Sequence, residues 1–311
     1  MTHTVPHSSP ICRYPSHRTE SLCCRLIVSA ILLLFLCVTA LNAQPRSRVP
    51  PTIPAPGQLN EAEGKAVIHA FRTARYEHDY SFHFELRHYP RRGSTVRRAG
   101  QAWGSWNQIG PVNRIRLFDE TDALALELIV QNGPADVGGV WRVARSEGKH
   151  CPERIEGDAI HEALFPGMVI SPFDLQMPFV YWDDYAYEGP DRVRGRPVHH
   201  FLLYPPEDET GPDRVAAVRM TLDAGWNAML RAQYLDEAGE VLRTLQVLSV
   251  RRVDHEWIAR AMDVIDEQSR EKTRLRIQAA RMDLRLPRDF FQPETVLPEQ
   301  PGPERETFQE F

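Results

Sequence analysis

The side chains with chemistry to offer are few and poorly grouped. His199 and His200 are adjacent. In a strand, adjacent side chains point to opposite faces, so the two rings cannot easily share one metal ion. His83 and His88, five apart, also fall on opposite faces. Asp183-Asp184 offers two carboxylates after Trp182, but a calcium site takes six or more oxygen ligands in a recognisable loop. The pair reads as a solvated turn. Cys151 follows His150 and Lys149, neighbours that can lower a thiol pKa. Neighbours in sequence do not make a triad, however, and Pro152-Glu153 suggests a loop. No Gly-x-Ser-x-Gly elbow, His-Glu-x-x-His helix, P-loop or dinucleotide fingerprint occurs. The chain is therefore read as a non-enzyme with no catalytic residue, no metal site and no cofactor; a hydrolase would have to build its site around His150 and Cys151.

Large apolar side chains are more telling. Six tryptophans are spread over the chain, Trp103 and Trp141 among them. Ser171-Pro172 sets a cap and a first-turn proline, which begins a helix, and Pro178 ends it after about two turns. This piece carries Phe173, Leu175, Met177, Phe179, Val180, Tyr181 and Trp182. Connections usually run over the surface, so one this greasy must cover something apolar.

The elements that would position these residues are mostly strands. A first helix is expected after Asn60, with Glu63 completing a capping box and Ala62, Ala66, Val67, Ala70, Phe71 and Ala74 on one stripe. From Tyr80 the period becomes two: Phe82, Phe84 and Leu86 alternate with His83, Glu85 and Arg87. Similar runs follow at 97–106, 113–118, 124–131 and 140–145, and again at 185–193, 197–204, 215–223, 229–235, 242–252, 257–265 and 272–282. No helix-length crossover separates successive strands, so an antiparallel meander is expected. So many strands curl into a barrel or part-barrel. The predicted fold class is mainly β: a strongly curved antiparallel sheet, a half-open barrel with short helices over its mouth.

Composition sets the setting. Leu26 to Ala40 is uncharged, follows Arg13, Arg18 and Arg25, and leads to Ala43, which reads as a signal peptide over 1–43. An uncleaved membrane anchor is the alternative. Residues 44–58 form a proline-rich linker, 59–297 a single β domain and 298–311 a flexible tail. Four of the five cysteines lie in the leader, leaving Cys151 without an internal partner. The formal charge is −5, and the leader takes three arginines and one glutamate with it, which leaves −7. A nucleic-acid binder would show a basic face, so none is expected as a partner.

From Ser171 onward the order of features resembles the outer-membrane lipoprotein-sorting protein family, the LolA-like periplasmic carriers and their relatives. The resemblance rests on Ser171-Pro172-Phe173-Asp174-Leu175, Tyr185-Ala186-Tyr187-Glu188, Arg196-Pro197-Val198, the runs at 218–223, 230–236, 239–242, 257–260 and 272–277, and Leu286-Pro287-Arg288-Asp289-Phe290-Phe291. It implies a periplasmic protein that holds lipid or lipoprotein acyl chains in an apolar cavity, received from and passed to a membrane donor or acceptor. The expected lining is Phe82, Phe84, Leu86, Trp103 and Trp141, with Phe173, Leu175, Met177 and Phe179 as lid. An envelope sensor or scaffold that binds a protein partner through the same fold is the alternative. The carrier expectation includes a hollow that the protein's own side chains leave partly vacant.

Overall fold

Asn60 begins the ordered chain as expected: its side chain accepts from the Glu63 amide and the Glu63 carboxylate accepts from the Asn60 amide, capping helix α1 (Glu61–Thr73). The computed structural model describes residues 56–146, 149–206, 215–292 and 308–311, with the side chains of 144–146 and 149–151 outside that description. The leader, most of the linker and residues 293–307 therefore lie outside the described residues. Helix α1 turns Gly64, Val67, Ile68 and Phe71 inward, not the alanine stripe. Ala62, Ala66, Ala70 and Ala74 are exposed, because larger side chains on the neighbouring face bury more apolar area.

Among the described residues fourteen strands follow: β1 (Asp79–Tyr89), β2 (Val96–Trp106), β3 (Pro111–Phe118), β4 (Leu124–Gln131), β5 (Gly139–Ser146), β6 (Lys149–Ile155), β7 (Tyr185–Val193), β8 (Arg196–Leu203), β9 (Ala217–Asp223), β10 (Met229–Leu235), β11 (Val241–Val253), β12 (Glu256–Asp266), β13 (Lys272–Leu284) and β14 (Gln309–Glu310). They form one antiparallel sheet, ordered β6-β5-β4-β3-β2-β1-β13-β12-β11-β10-β9-β8-β7, with β14 added beside β13. Two meanders are thus joined where β1 meets β13. The sheet is curled but not closed, as expected of a half-open barrel.

Two stretches differ from expectation. Residues 149–155, read as a loop at Pro152-Glu153, are strand β6, paired along its length with β5. Proline is tolerated there because β6 is an edge strand and needs no second set of ladder bonds. Residues 308–311, the end of the expected loose tail, include β14, which pairs with Ala279 and Ala280 where β12 has parted from β13.

Each sheet face has its own core. On the concave face Phe84, Leu86, Ile115, Leu117, Leu128 and Val130 join Phe201, Met220, Tyr234 and Ile277 in one large cluster. Glycine makes room for its rings: a Cβ at Gly100 would overlap the Phe84 ring, and one at Gly104 the Tyr80 ring. A smaller outer cluster of Trp103, Val112, Ile129 and Val143 is covered by Phe290 and Phe291, from the 3-10 turn Arg288–Phe291 that follows β13.

Candidate functional site

The topology dictates the site. Strands β6 and β7 are the two outer edges of the sheet, so residues 156–184, which join them, must pass from one edge to the other. On the way they carry the 3-10 turn Gly157–Ile160, the buried run Met168-Val169-Ile170, a short helix α2 (Pro172–Gln176) and a second 3-10 turn (Pro178–Tyr181). Ser171 accepts from the Asp174 amide while Asp174 accepts from the Ser171 amide, so the helix starts where the sequence predicts. It lasts five residues rather than two turns, because Met177 is left-handed (φ 49°) and Pro178 follows.

This segment is a plug. Phe173, Phe179 and Trp182 are 4%, 0% and 3% exposed, and all three belong to the concave cluster. The Tyr234 ring receives Phe173 edge-on at 5.4 Å and Phe179 at 5.7 Å, while Phe179 meets Trp182 at 6.4 Å. The concave space is therefore filled by the chain's own rings, unlike the partly vacant hollow expected. A dense apolar connection laid across a concave apolar face buries itself there, since each large side chain gains about 1.5–3 kcal/mol. A cavity of about 220 Å³ lies beside the plug, lined by Ile155, Ile160, His161, Phe173, Pro178 and Trp182 among others. That is below the roughly 300–1,000 Å³ of ligand pockets in general.

Polar anchors hold the plug at three places. Buried Asp174 accepts from the Tyr234 hydroxyl at 3.0 Å, from Arg243 at 3.0 Å and from the Ser171 hydroxyl at 2.9 Å. Burial and then the neighbouring Asp174 charge push the Tyr234 phenol well above its usual value, so it stays a donor. Arg72 of α1 donates to the Val180 carbonyl at 2.6 Å and to that of Trp182. Asn132 donates to the Gln176 carbonyl. Of these anchors the sequence marks Ser171 and Asp174 as a capping pair; Tyr234, Arg243, Arg72 and Asn132 carry no local signal, because their partners lie 44 to 110 residues away.

Seven of the nine residues expected to line a binding site come together. Phe84, Leu86, Phe173 and Phe179 lie in the concave cluster, with Phe82, Leu175 and Met177 packed against it. Trp103 and Trp141 do not join them. Both sit on the outer face with Phe290 and Phe291. The period-two pattern of β2 explains Trp103: Gly100, Ala102 and Gly104 face inward opposite Phe84, Phe82 and Tyr80, so the tryptophan points out.

The weighed histidines and carboxylates find ordinary partners. His199 meets the Tyr187 hydroxyl at 2.9 Å, and His200 the Thr221 hydroxyl at 3.0 Å and Asp191 at 3.3 Å. Burial, then the His200 charge, lowers the His199 pKa. His88 is buried against the Thr273 hydroxyl, and His83 lies on the other face against Phe308. Asp183 is exposed, 3.8 Å from Arg72. The side chains of His150 and Cys151 lie outside the described residues. Among the described residues no group of three or more histidine, cysteine or acidic side chains is placed to hold a metal ion, and no helix is long and apolar enough to cross a membrane. At the tips of two hairpins, Trp226 and Trp257 pair edge-to-face at 5.9 Å while remaining 64% and 49% exposed.

Comparison with known proteins identifies the architecture. A family model described only as an uncharacterized protein matches residues 151–296. No curated protein matches the chain. A DUF1329 family protein from Desulfovibrio piger is similar with a TM-score of 0.62 at 16% identity, over 74% of this chain and 95% of that one. An outer membrane lipoprotein-sorting protein domain from Vibrio parahaemolyticus aligns with a TM-score of 0.62 at 16% identity, over 72% and 94%. A LolA superfamily protein from Nitrosomonas europaea gives 0.55 at 12% identity, over 73% and 96%. The chain has the fold of these structures.

Proposed function

We propose that this chain is a periplasmic binding or carrier protein for lipid or lipoprotein acyl chains, with residues 171–182 as a displaceable plug. The observation that carries this reading is the plug itself: an aromatic segment seated on a concave apolar face and tethered by a few polar anchors centred on Asp174. Cargo would enter by taking the place of the plug's rings, against Phe82, Phe84 and Leu86. Magnitudes favour the exchange. Burying a chain of about 14 methylenes gains roughly 11 kcal/mol, whereas exposing three large side chains costs about 5–9 kcal/mol. The exposed Trp226–Trp257 pair suits contact with a membrane donor or acceptor, since tryptophan is enriched at membrane–water interfaces.

The test is uptake of a fluorescent fatty acid together with mass spectrometry of lipid extracted from the purified protein. Wild type is expected to yield bound lipid or saturable uptake, and Asp174→Asn, which weakens the central anchor, to take up the probe faster. No lipid in the extract and no uptake by either protein would end the carrier reading. The packed interior favours one second reading, a scaffold that leaves its core closed and binds a protein partner along the free edge of β7. Amide-exchange protection confined to β7 on adding a partner would select it.

A further inference from the structure

On the outer face, away from the plug, the sheet opens a second hollow. Strand β12 pairs with β13 only from Ile265↔Lys272 to Ala261↔Arg276 and then leaves it. Strand β11 is bulged opposite, around Ser249. The gap is a cavity of about 300 Å³ whose wall includes Arg87, Tyr89, Arg260, Arg274 and Arg276, with Glu85 as its one carboxylate. Glu85, Arg87, Tyr89, Arg274 and Arg276 alternate along β1 and β13 with the core residues Leu86, Leu275 and Ile277, so this wall faces away from the apolar interior.

Charge accounting sharpens the picture. Arg87 is neutralised by Glu85 at 2.7 Å, and Arg274 by Asp263 at 2.6 Å. Arg276 is exposed and has no ion pair among the described residues. Arg260 lies over the Phe311 ring at 5.5 Å, with a buried Nε that has no hydrogen-bond partner there. Four guanidinium groups thus meet two carboxylates, Asp263 and Glu85, the latter bound to Arg87 and opposite Arg276 in the β1–β13 ladder, which leaves a surplus of positive charge in one concave site on a chain whose formal charge is −5. A phosphate monoester or inorganic phosphate carries about −1.5 to −2 at neutral pH and three strong acceptor oxygens. Arginine's planar donors match such oxyanions in pairs.

We propose that this outer hollow is a phosphate-binding site in which Arg260 and Arg276 supply the charge and Arg87 and Arg274 complete the wall. The phosphate has two possible sources, a soluble phosphate or the headgroup of a monophosphate lipid, and both present the same oxyanion.

The experiment titrates the full chain with inorganic phosphate by calorimetry at low ionic strength, then measures co-sedimentation with phosphatidylcholine vesicles with and without phosphatidic acid. Saturable binding is expected. Arg260→Gln and Arg276→Gln should each weaken it about tenfold or more, and Arg194→Gln, in the exposed β7–β8 turn, should leave it unchanged. Co-sedimentation that needs phosphatidic acid and is lost in the same two variants assigns the headgroup as source. Phosphate binding without co-sedimentation assigns the soluble anion. Absence of saturable phosphate binding by the wild type, or equal weakening by Arg194→Gln, overturns the proposal. Thermal melts of each variant separate lost binding from lost folding.

Discussion

Two regions of the outer sheet face are built from arginines and differ in what lies over them. On β3, Arg114 and Arg116 both reach Glu127 of β4, at 2.6 and 3.0 Å, and Arg114 also donates to the Phe290 carbonyl at 3.0 Å. The Phe290 ring covers Arg114 and the Trp103 ring covers Arg116. Arg114 and Glu127 are each left with 1% exposure. On β12 and β13, Arg260 and Arg276 stand at an open cavity whose one carboxylate, Glu85, is bound to Arg87. The same residue type is a structural device where a carboxylate and a cover complete it, and a candidate ligand site where the carboxylate is engaged by another arginine and the cavity stays open.

The largest effect is expected from breaking the sealed region. Glu127→Ala strands Arg114 in a buried place, which should cost about 3–5 kcal/mol of stability in urea denaturation. A loss under about 1 kcal/mol would show that water or another group replaces the carboxylate and that the region is not sealed. Removing the cover comes next. Phe290→Ala deletes a side chain that is 8% exposed and lies on Arg114. A loss of about 3 kcal/mol is expected, the low end for a buried phenylalanine, because the site lies at the surface of the outer cluster.

How far the sequence foretells these regions follows from the range of the signals. Strand spacing, the Asn60 and Ser171 caps and the greasy 173–182 segment are local patterns, and the structure follows them closely. The face assignments of Phe82, Phe84 and Leu86 hold because three alternating residues fix a strand's orientation. Trp103 and Trp141 are less legible: a tryptophan suits either face, and the decisive facts are the glycines of β2 and the return of Phe290 and Phe291 over the outside. The Asp174–Tyr234–Arg243 anchor depends on partners 60 and 69 residues apart. The filled interior is not legible for a related reason: amphipathic strands show that a concave face is apolar, not which segment fills it.

Acid should distinguish the sealed pair more gently. Burial alone would raise the Glu127 carboxyl, but Arg114 and Arg116 outweigh it and hold its pKa below the ordinary value. A carboxyl with a depressed folded-state pKa contributes stability that is fully present above its unfolded value, near pH 4.3. That contribution is lost as pH falls through the lower folded value. Wild type should therefore lose stability on acidification below about pH 4.3 more steeply than Glu127→Gln, which has no proton to take up there. Parallel acid limbs in the two denaturation series would mean that other carboxylates, Asp263 among them, carry the whole effect. Asp263 has the same sign, with burial opposed by Arg274 and Lys272.

The smallest effect is expected at the open region, and it tests the comparison most directly. Arg276 is exposed on β13 and, among the described residues, pairs with no acid. Removing its charge gives up only the attraction of Glu85 across the ladder, which already binds Arg87, and relieves repulsion from the arginines around the same cavity, Arg87, Arg260 and Arg274. In water such repulsion between exposed charges is weak and screened by salt. Arg276→Gln should thus stay within about 0.5 kcal/mol of wild type in water, the usual range for a surface change. Added phosphate should then separate the two proteins, raising the melting temperature of wild type more than that of the variant, because a ligand stabilises only the form that binds it. A variant clearly less stable without phosphate would place Arg276 in a structural role like that of Arg114, and the contrast between the two regions would fail.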